Sequence, residues 1–371
     1  MDKSKWEYKK LGEVCEVLDK FRKPVTKSDR VAGQYPYYGA TGIQDYVADY
    51  IFDGRYLLLG EDGAKWGANE NSAFIIEGKS WVNNHAHILK IDDSFMDIFV
   101  MYYLNHKDLS EYITGAVVPK LTQAAMLKIP VPSISIADQQ RIVAELDCLN
   151  EMIALKQDQL KEFDKLAQSI FYEMFGDPVS NEKGWGLKPM KDVCGAIGDG
   201  LHGTPQYDDN GTVAFINGNN LVDGKIVITE RTQFVNEIEA KKIFIELDTN
   251  TVLLSINGTL GKTAVYNNEK VVLGKSACYL RLSKILDVNF VMALMNTNEY
   301  MGYLENNSSK STIKNVGLKA IRNFPIILPP LALQQQFAEK IQAIEEQKEL
   351  VKKSIAETQH LLDSRMDYYF D

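Results

Sequence analysis

The sequence predicts an α+β protein in which two mixed α/β domains are separated by two long helices, the halves forming one internal repeat. Three observations point there: motifs that return once at very long spacing, two matched heptad seams, and stretches of short strand-like runs broken by glycine and asparagine.

The repeat comes first. Trp6, Leu11, Val14 and Cys15 return 179 residues later as Trp185, Met190, Val193 and Cys194. Further along, Ile129-Pro130-Val131 returns as Phe324-Pro325-Ile326, and Asp138-Gln139-Gln140 as Leu333-Gln334-Gln335, now 195 residues apart. Insertion within the second globular part accounts for the change of spacing. Ser169 to Phe175 falls on Ser364 to Phe370 at the same spacing, so the second copy is expected to fill the chain with no third domain appended.

Each copy closes on a periodic segment. Ile142, Leu146, Leu149, Ile153, Lys156, Leu160, Phe163, Ala167, Ile170 and Met174 alternate at four and three residues, as a coiled-coil seam requires. Phe337, Ile341, Ile344, Lys348, Val351, Ile355, Thr358, Leu362, Arg365 and Tyr369 do the same. Each seam runs about 50 Å at the helical rise. Mutual pairing is favoured over packing of each helix on its own domain, because each matched seam has a partner available. Lys156 and Lys348 interrupt the seams, a device that fixes register. Prolines at 130, 132, 325, 329 and 330 precede the helices, and Gly176-Asp177-Pro178 ends the first. The expected division is therefore a domain over 1–135, a helix over 136–176, a linker over 177–184, a domain over 185–330 and a helix over 331–371.

Within the globular parts, Tyr56–Leu59, Ala73–Ile76, His87–Ile91, Val213–Ile216, Thr251–Ile256 and Ala277–Leu282 read as strands. Phe95–Asn105 and Val288–Asn296 read as short helices. The order lacks a regular βαβ alternation, which argues against a doubly wound sheet.

Composition narrows the classes of function. The net charge of −9 opposes a phosphate-rich partner, but it is unevenly spread: −2 over 1–135, −6 over 136–182, +2 over 183–330 and −3 over 331–371. Acidity collects in the helices and leaves the globular parts near neutral, with room for local basic patches. Neither a signal core nor an apolar run of membrane-spanning length is read, so a cytoplasmic protein is expected. Cys15, Cys148, Cys194 and Cys278 are scattered and read as buried, reduced thiols.

The ordered, duplicated motifs resemble the specificity subunit of type I restriction-modification systems over essentially the whole chain. They are Ile129-Pro130-Val131-Pro132 leading to Asp138-Gln139-Gln140-Arg141-Ile142, its partner Pro329 to Gln336, and the helices ending at Phe175 and Phe370. Tyr37 to Gly42, Gly200 to Pro205 and Ser255 to Gly261 look like target-recognition loops. The resemblance implies two target-recognition domains, each reading one half of a bipartite, asymmetric DNA site in the major groove. An antiparallel coiled coil, with pseudo-two-fold symmetry, would set the gap. It implies no chemistry in this chain. Two modification subunits would supply S-adenosylmethionine-dependent adenine methylation, and restriction subunits would add ATP- and magnesium-dependent translocation and cleavage.

Base edges are read by Asn, Gln, Arg and Lys, with Ser and Thr as adaptable partners, while cations hold phosphates. The candidate DNA-binding residues are Lys20, Arg22, Lys23, Tyr37, Tyr38, Lys65, Trp66, Asn83, Asn84, His85 and Lys120 in the first domain. In the second they are His202, Thr204, Asn217, Asn219, Asn220, Asn257, Thr259, Lys262, Lys310, Ser311, Thr312 and Lys314. Loops of this composition also serve simply as turns.

Fragments suggesting an enzyme are weak. Gly198 to Gly203 fits GxGxxG, but Thr204-Pro205 follows where a helix should open. Gly78-Lys79-Ser80, Gly261-Lys262-Thr263 and Gly274-Lys275-Ser276 lack the earlier glycine of a phosphate loop. His85 and His87 could share a strand face as metal ligands, but no completing carboxylate or cysteine is evident, so no metal site is expected. The Pro329-Pro330 pair lacks the flanks of an amino-methylase motif. The competing class is a protein-interaction adaptor whose DNA binding has decayed.

Overall fold

The computed structural model describes residues 6–115 and 117–371. The chain forms two compact units, Met1–Gln157 with Lys353–Asp371, and Asp158–Lys352. These divisions cut across the expected linear segments, because each unit takes part of both long helices.

The first unit is built on a six-stranded sheet in the order Cys15–Val17, Ala86–Ile91, Phe52–Gly60, Ala73–Val82, Ala32–Gly39, Gly42–Val47. Alternate residues of a strand face opposite sides, and the central strand shows the result. Leu57 and Leu59 join the larger core with Leu89, Phe99 and Val100, while Leu58 joins Ile76, Val82 and Ile88 on the opposite face. The helix Asp97–His106 and the first half of the helix Ile136–Phe175 cover the larger core, to which Ile142, Leu146, Leu149 and Ile153 belong.

The second unit repeats this logic with a four-stranded sheet, ordered Cys194–Asp199, Ala277–Leu282, Thr251–Ser255, Thr263–Val265. Val252 and Leu254 face a core shared with the helix Val288–Met295, and Leu253 faces the opposite cluster. A three-stranded sheet, Gln233–Val235, Val213–Ile216, Val271–Leu273, completes this unit. Antiparallel pairs dominate both units, giving an α+β fold; the parallel ladders are the short one of Tyr37 and Tyr38 with Trp81 and Val82 and the one that pairs Ala214 with Val271.

Both units close in the same way. Glu7–Lys10 pairs antiparallel with Pro130–Ser133, and Gly186–Pro189 with Pro325–Leu328, in two-stranded ladders that tolerate proline. Just beyond, the first glutamine of each motif is fully buried. Gln139 accepts from the Met96 amide at 2.8 Å and donates to the carbonyls of Ile134 and Ser94 at 3.0 and 3.3 Å. Gln334 accepts from the Asp287 amide at 2.9 Å and donates to the carbonyls of Pro329 and Ile285 at 2.8 and 3.1 Å. One amide thus ties the helix start to the loop before the short helix in each unit.

The long helices, Ile136–Phe175 and Leu331–Phe370, contain neither glycine nor proline. Ser135 caps the first by accepting from the Asp138 amide, and Gly176, at φ +75°, ends it in a conformation that glycine adopts without penalty. In the first unit the helix segments run antiparallel. Glu145 meets Arg365 and Tyr369, and the Lys156 ammonium donates to Thr358 Oγ1 at 2.6 Å and the Ser354 carbonyl at 3.3 Å. In the second unit, also antiparallel, Asp164 meets Lys348 while Phe171 and Phe175 meet Phe337. Burial works against the Lys348 ammonium, yet Asp164 and Glu345, each at 2.8 Å, hold its pKa above the ordinary value. Packing on a domain and packing of helix on helix therefore occur together. The seam residues Leu160, Phe163, Ile341, Val351 and Ile355 are half-buried, and Ile344 and Leu362 are buried.

The cysteines depart from expectation at one position. Cys278 is buried and Cys15 and Cys194 are partly buried, the last two pushed up to about 12 by burial, but Cys148 is exposed on the first long helix. Its neighbours Leu146 and Leu149 take the buried face and turn it to solvent.

Gln334→Ala strands a buried amide and two buried carbonyls, and should lower stability by about 3 kcal/mol. The exposed neighbour Gln335→Ala should change it by less than about 0.5 kcal/mol. Urea unfolding of both variants tests this; equal effects would remove the role given to the buried amide.

Candidate nucleic-acid interface

In the second unit, five loops meet around an open groove of about 800 Å³, four of them carrying candidate residues. Leu201–Thr204 follows the edge strand Cys194–Asp199, Asn217–Asn219 follows Val213–Ile216, Asn257–Thr259 follows the central strand Thr251–Ser255, and Thr312–Lys314 comes from the segment before the closing ladder. Strand ends thus deliver the loops. Close approach sets the local sequence: a Cβ on Gly218 would lie 2.3 Å from Ser255 Oγ, and one on Gly200 would lie 2.0 Å from the Leu273 carbonyl oxygen.

Eight candidates gather here: His202, Thr204, Asn217, Asn219, Asn257, Thr259, Thr312 and Lys314. Asn217 organises its loop by accepting from the Asn219 amide at 2.9 Å, and Asn257 donates to Asn315 Oδ1 at 3.2 Å. His202 Nε2 lies 2.7 Å from Asp199 Oδ2, and Lys314 pairs with Glu305 at 3.2 Å. Thr204, Asn219, Thr259 and Thr312 have no side-chain partner among the described residues, leaving hydroxyls and an amide open to a ligand. Lys275 and Ser276 also line the groove and were not among the candidates. In the sequence, Gly274-Lys275-Ser276 reads only as a fragment of a phosphate loop. Lys310 and Ser311 are exposed beside the groove.

Two candidates of this unit lie elsewhere. Asn220 is buried, donating to the Val227 carbonyl and Thr232 at 3.0 Å each, and so holds its own loop. Lys262 lines a separate cleft with Leu160, Gln168 and Glu345 of the long helices.

In the first unit the candidates divide into exposed residues and structural ones. Lys20, Lys23, Lys65, Asn84 and His85 are exposed, and Tyr38 is half-buried. Tyr37 is buried instead, its hydroxyl accepting from the Val25 amide at 3.0 Å with the Arg30 guanidinium over its ring. Trp66 is buried and donates to the Gly60 carbonyl at 3.0 Å, and Asn83 is buried, its Oδ1 accepting from the His85 amide at 2.8 Å. These three build loops and present no edge outward. Arg22 is likewise engaged internally, with Asp19, Glu61 and the Ala86 carbonyl.

Arg22 belongs to a network that sequence reasoning did not find. Glu61 accepts from Lys120 at 2.7 Å and from Arg22; His85 pairs with Asp62; buried His87 bridges Asp19 Oδ2 at 2.5 Å and the Leu121 carbonyl at 2.8 Å. His85 sits in a turn and His87 on a strand, so the two imidazoles take different carboxylates. Asp19, Glu61 and His87 are close enough to surround a cation, but Arg22 and Lys120 already neutralise the carboxylates. Burial pushes the Glu61 carboxyl up, and the hydrogen bonds from Lys120 and Arg22 outweigh it, leaving its pKa below the ordinary value. No helix follows Gly203 to receive a dinucleotide phosphate, since residues 204–208 are irregular.

Amides, hydroxyls and ammonium groups delivered on loops from strand ends make a hydrogen-bonding surface of the kind that reads polar edges. The chain belongs to the family of the type I restriction modification DNA specificity domain, whose profile matches residues 3–163 and again 182–360. It is similar to S.HindORF215P of Haemophilus influenzae, a chain named as a type I restriction enzyme specificity subunit, at 36% identity over 152 residues, 41% of this chain and 39% of that one. It is also similar to the MjaIX specificity subunit of Methanocaldococcus jannaschii, at 23% identity over 294 residues, 68% of this chain and 63% of that one. The chain therefore spans less than two thirds of the length of either relative. Its fold is shared with the crystal structure of the type I system S subunit of M. genitalium, with a TM-score of 0.56, 12% identity, and coverage of 97% of this chain and 95% of that one. No helix among the described residues is long and apolar enough to cross a membrane.

Because Glu61 titrates lower folded than unfolded, its stabilisation is complete above the unfolded value of about 4.3 and fades as pH falls through the folded one. Glu61→Gln should therefore lower stability by about 2 kcal/mol at pH 7. Urea midpoints of variant and parent should converge as the pH falls below about 4. A gap that stays constant down to pH 3 would show that the charge contributes nothing.

Proposed function

We propose that this chain is the DNA sequence-recognition subunit of a type I restriction-modification complex. Each unit reads one half of a bipartite, asymmetric double-stranded site. The two long helices act as one antiparallel coiled coil with pseudo-two-fold symmetry, which sets the spacer and docks two modification subunits. Restriction subunits complete the assembly. The chain performs no chemistry itself: S-adenosylmethionine, ATP and magnesium belong to the partner subunits, whose complex is an adenine methyltransferase and endonuclease in the cytoplasm.

The observation that carries this reading is the double family match, one in each half, together with a polar groove at strand ends of the second. Antiparallel contacts within each unit support the spacer role. A net charge of −9 leaves little general attraction to phosphate, so affinity must come from locally placed lysines and neutral base contacts.

Genome-wide adenine methylation should show one interrupted motif in cells expressing this protein with its modification subunit, absent on deletion. A verified complex without any such motif would instead favour the adaptor. Four residues inserted into one long helix should change the spacer and leave both half-sites intact. Altered half-sites would overturn the division of labour.

A further inference from the structure

The two units share one feature that the polar groove does not account for. In the first, Asp62 bridges Lys120 and the Leu121 amide donates to the Glu61 carbonyl at 2.8 Å. In the second, Asn257 bridges Asn315 and the Val316 amide donates to the Ile256 carbonyl at 2.9 Å. Every one of these residues is 195 positions from its counterpart. The segment that leads into each bridge is therefore anchored identically, and the residue two before it is Val118 in one unit and Ile313 in the other. Both are 64% exposed, and Val117 beside the first is 93% exposed.

A β-branched aliphatic side chain left in water at matched positions costs solvation and contributes no packing. Both segments are organised rather than incidental. A Cβ on Gly115, at φ +93°, would lie 2.3 Å from the Val118 carbonyl oxygen, so that turn needs glycine. In the second unit Ser311 Oγ donates to the Ile313 carbonyl at 2.6 Å. Ile313 lines the same groove as Asn257, Thr312, Lys314 and Lys275, so whatever the polar groups meet must also meet this methyl-bearing side chain. In the major groove the base feature that suits an aliphatic contact is the thymine C5-methyl, and it lies beside the acceptors and donors that Asn, Thr and Lys address.

We propose that Ile313 contacts a thymine methyl in the half-site read by the second unit, and that Val118 makes the equivalent contact for the first. This rests on the DNA-reading function proposed above. Such a contact adds specificity without charge, which suits a chain of net acidity. It releases no counterion and so leaves the salt dependence of binding unchanged.

The test uses the full chain co-expressed with its modification subunit and duplexes carrying the methylated motif. Replacing thymine by deoxyuridine in the second unit's half-site should weaken wild-type binding about tenfold, the low end of the range for a lost methyl contact. Ile313→Ser should bind thymine duplex with the same loss, show no further loss on deoxyuridine, and keep the wild-type salt slope, whereas Lys314→Ala should reduce that slope. Thermal unfolding of Ile313→Ser should match wild type, since the side chain is exposed. Equal sensitivity of wild type and Ile313→Ser to deoxyuridine overturns the proposal, as does a half-site without any A·T pair. Brightening of 2-aminopurine beside the contact, lost in Ile313→Ser, also overturns it by showing an intercalating wedge. A wild-type complex that binds no sequence selectively defeats the DNA-reading function itself, a different result from selective binding that ignores Ile313.

Discussion

Phe175 lies 4.7 Å from Phe290, centroid to centroid, and Phe370 lies 5.6 Å from Phe99. These contacts lock the far end of each long helix into a globular core alongside the beginning of the other. In the second unit Phe171 and Phe175 stand against Phe290 and Phe337; in the first, Phe370 stands against Phe99 and Tyr103. Aromatic side chains bury more area than any others and favour tilted or edge contacts. A helix end held this way cannot fray, and the sheet it covers keeps its loops in place.

The polar elements refine what the aromatic ones fix. Gln139 and Gln334 orient the loop before each short helix, and Lys156 and Lys348 add directional contacts to an otherwise apolar seam. The two lysines solve the same problem differently. Lys348 is paired with carboxylates, whereas Lys156 is satisfied by a hydroxyl and a carbonyl. Removing a partner from such a seam leaves a charge unsatisfied, which is how polar layers select one register over its neighbours.

Periodicity made the long helices and their seams legible in advance, because a period of three and a half residues is a local property. The strand runs were legible for the same reason, being hydrophobic and bounded by turns. Pairings between distant residues were not. Arg22 meets Glu61 and Ala86, and His87 meets Asp19 and Leu121, and no spacing rule connects such positions. A cation chosen for its type alone can thus be committed internally, as Arg22 is. The same holds for Tyr37, Trp66, Asn83 and Asn220, whose polar groups serve their own loops. Loop composition did better in the second unit, where several glycine-flanked amides and hydroxyls converge on one groove.

The first unit's membership has a temporal consequence. Its core includes Leu362, Tyr369 and Phe370, about 260 residues downstream of the helix that carries Phe99. At a synthesis rate of about 5–20 residues per second, the apolar face awaiting them stays open on the nascent chain for about 13–50 s. The second unit draws on the single continuous stretch Asp158–Lys352 and has no such wait. During synthesis, then, the half that begins first is the half that finishes last, and its uncovered face is where a chaperone would be needed.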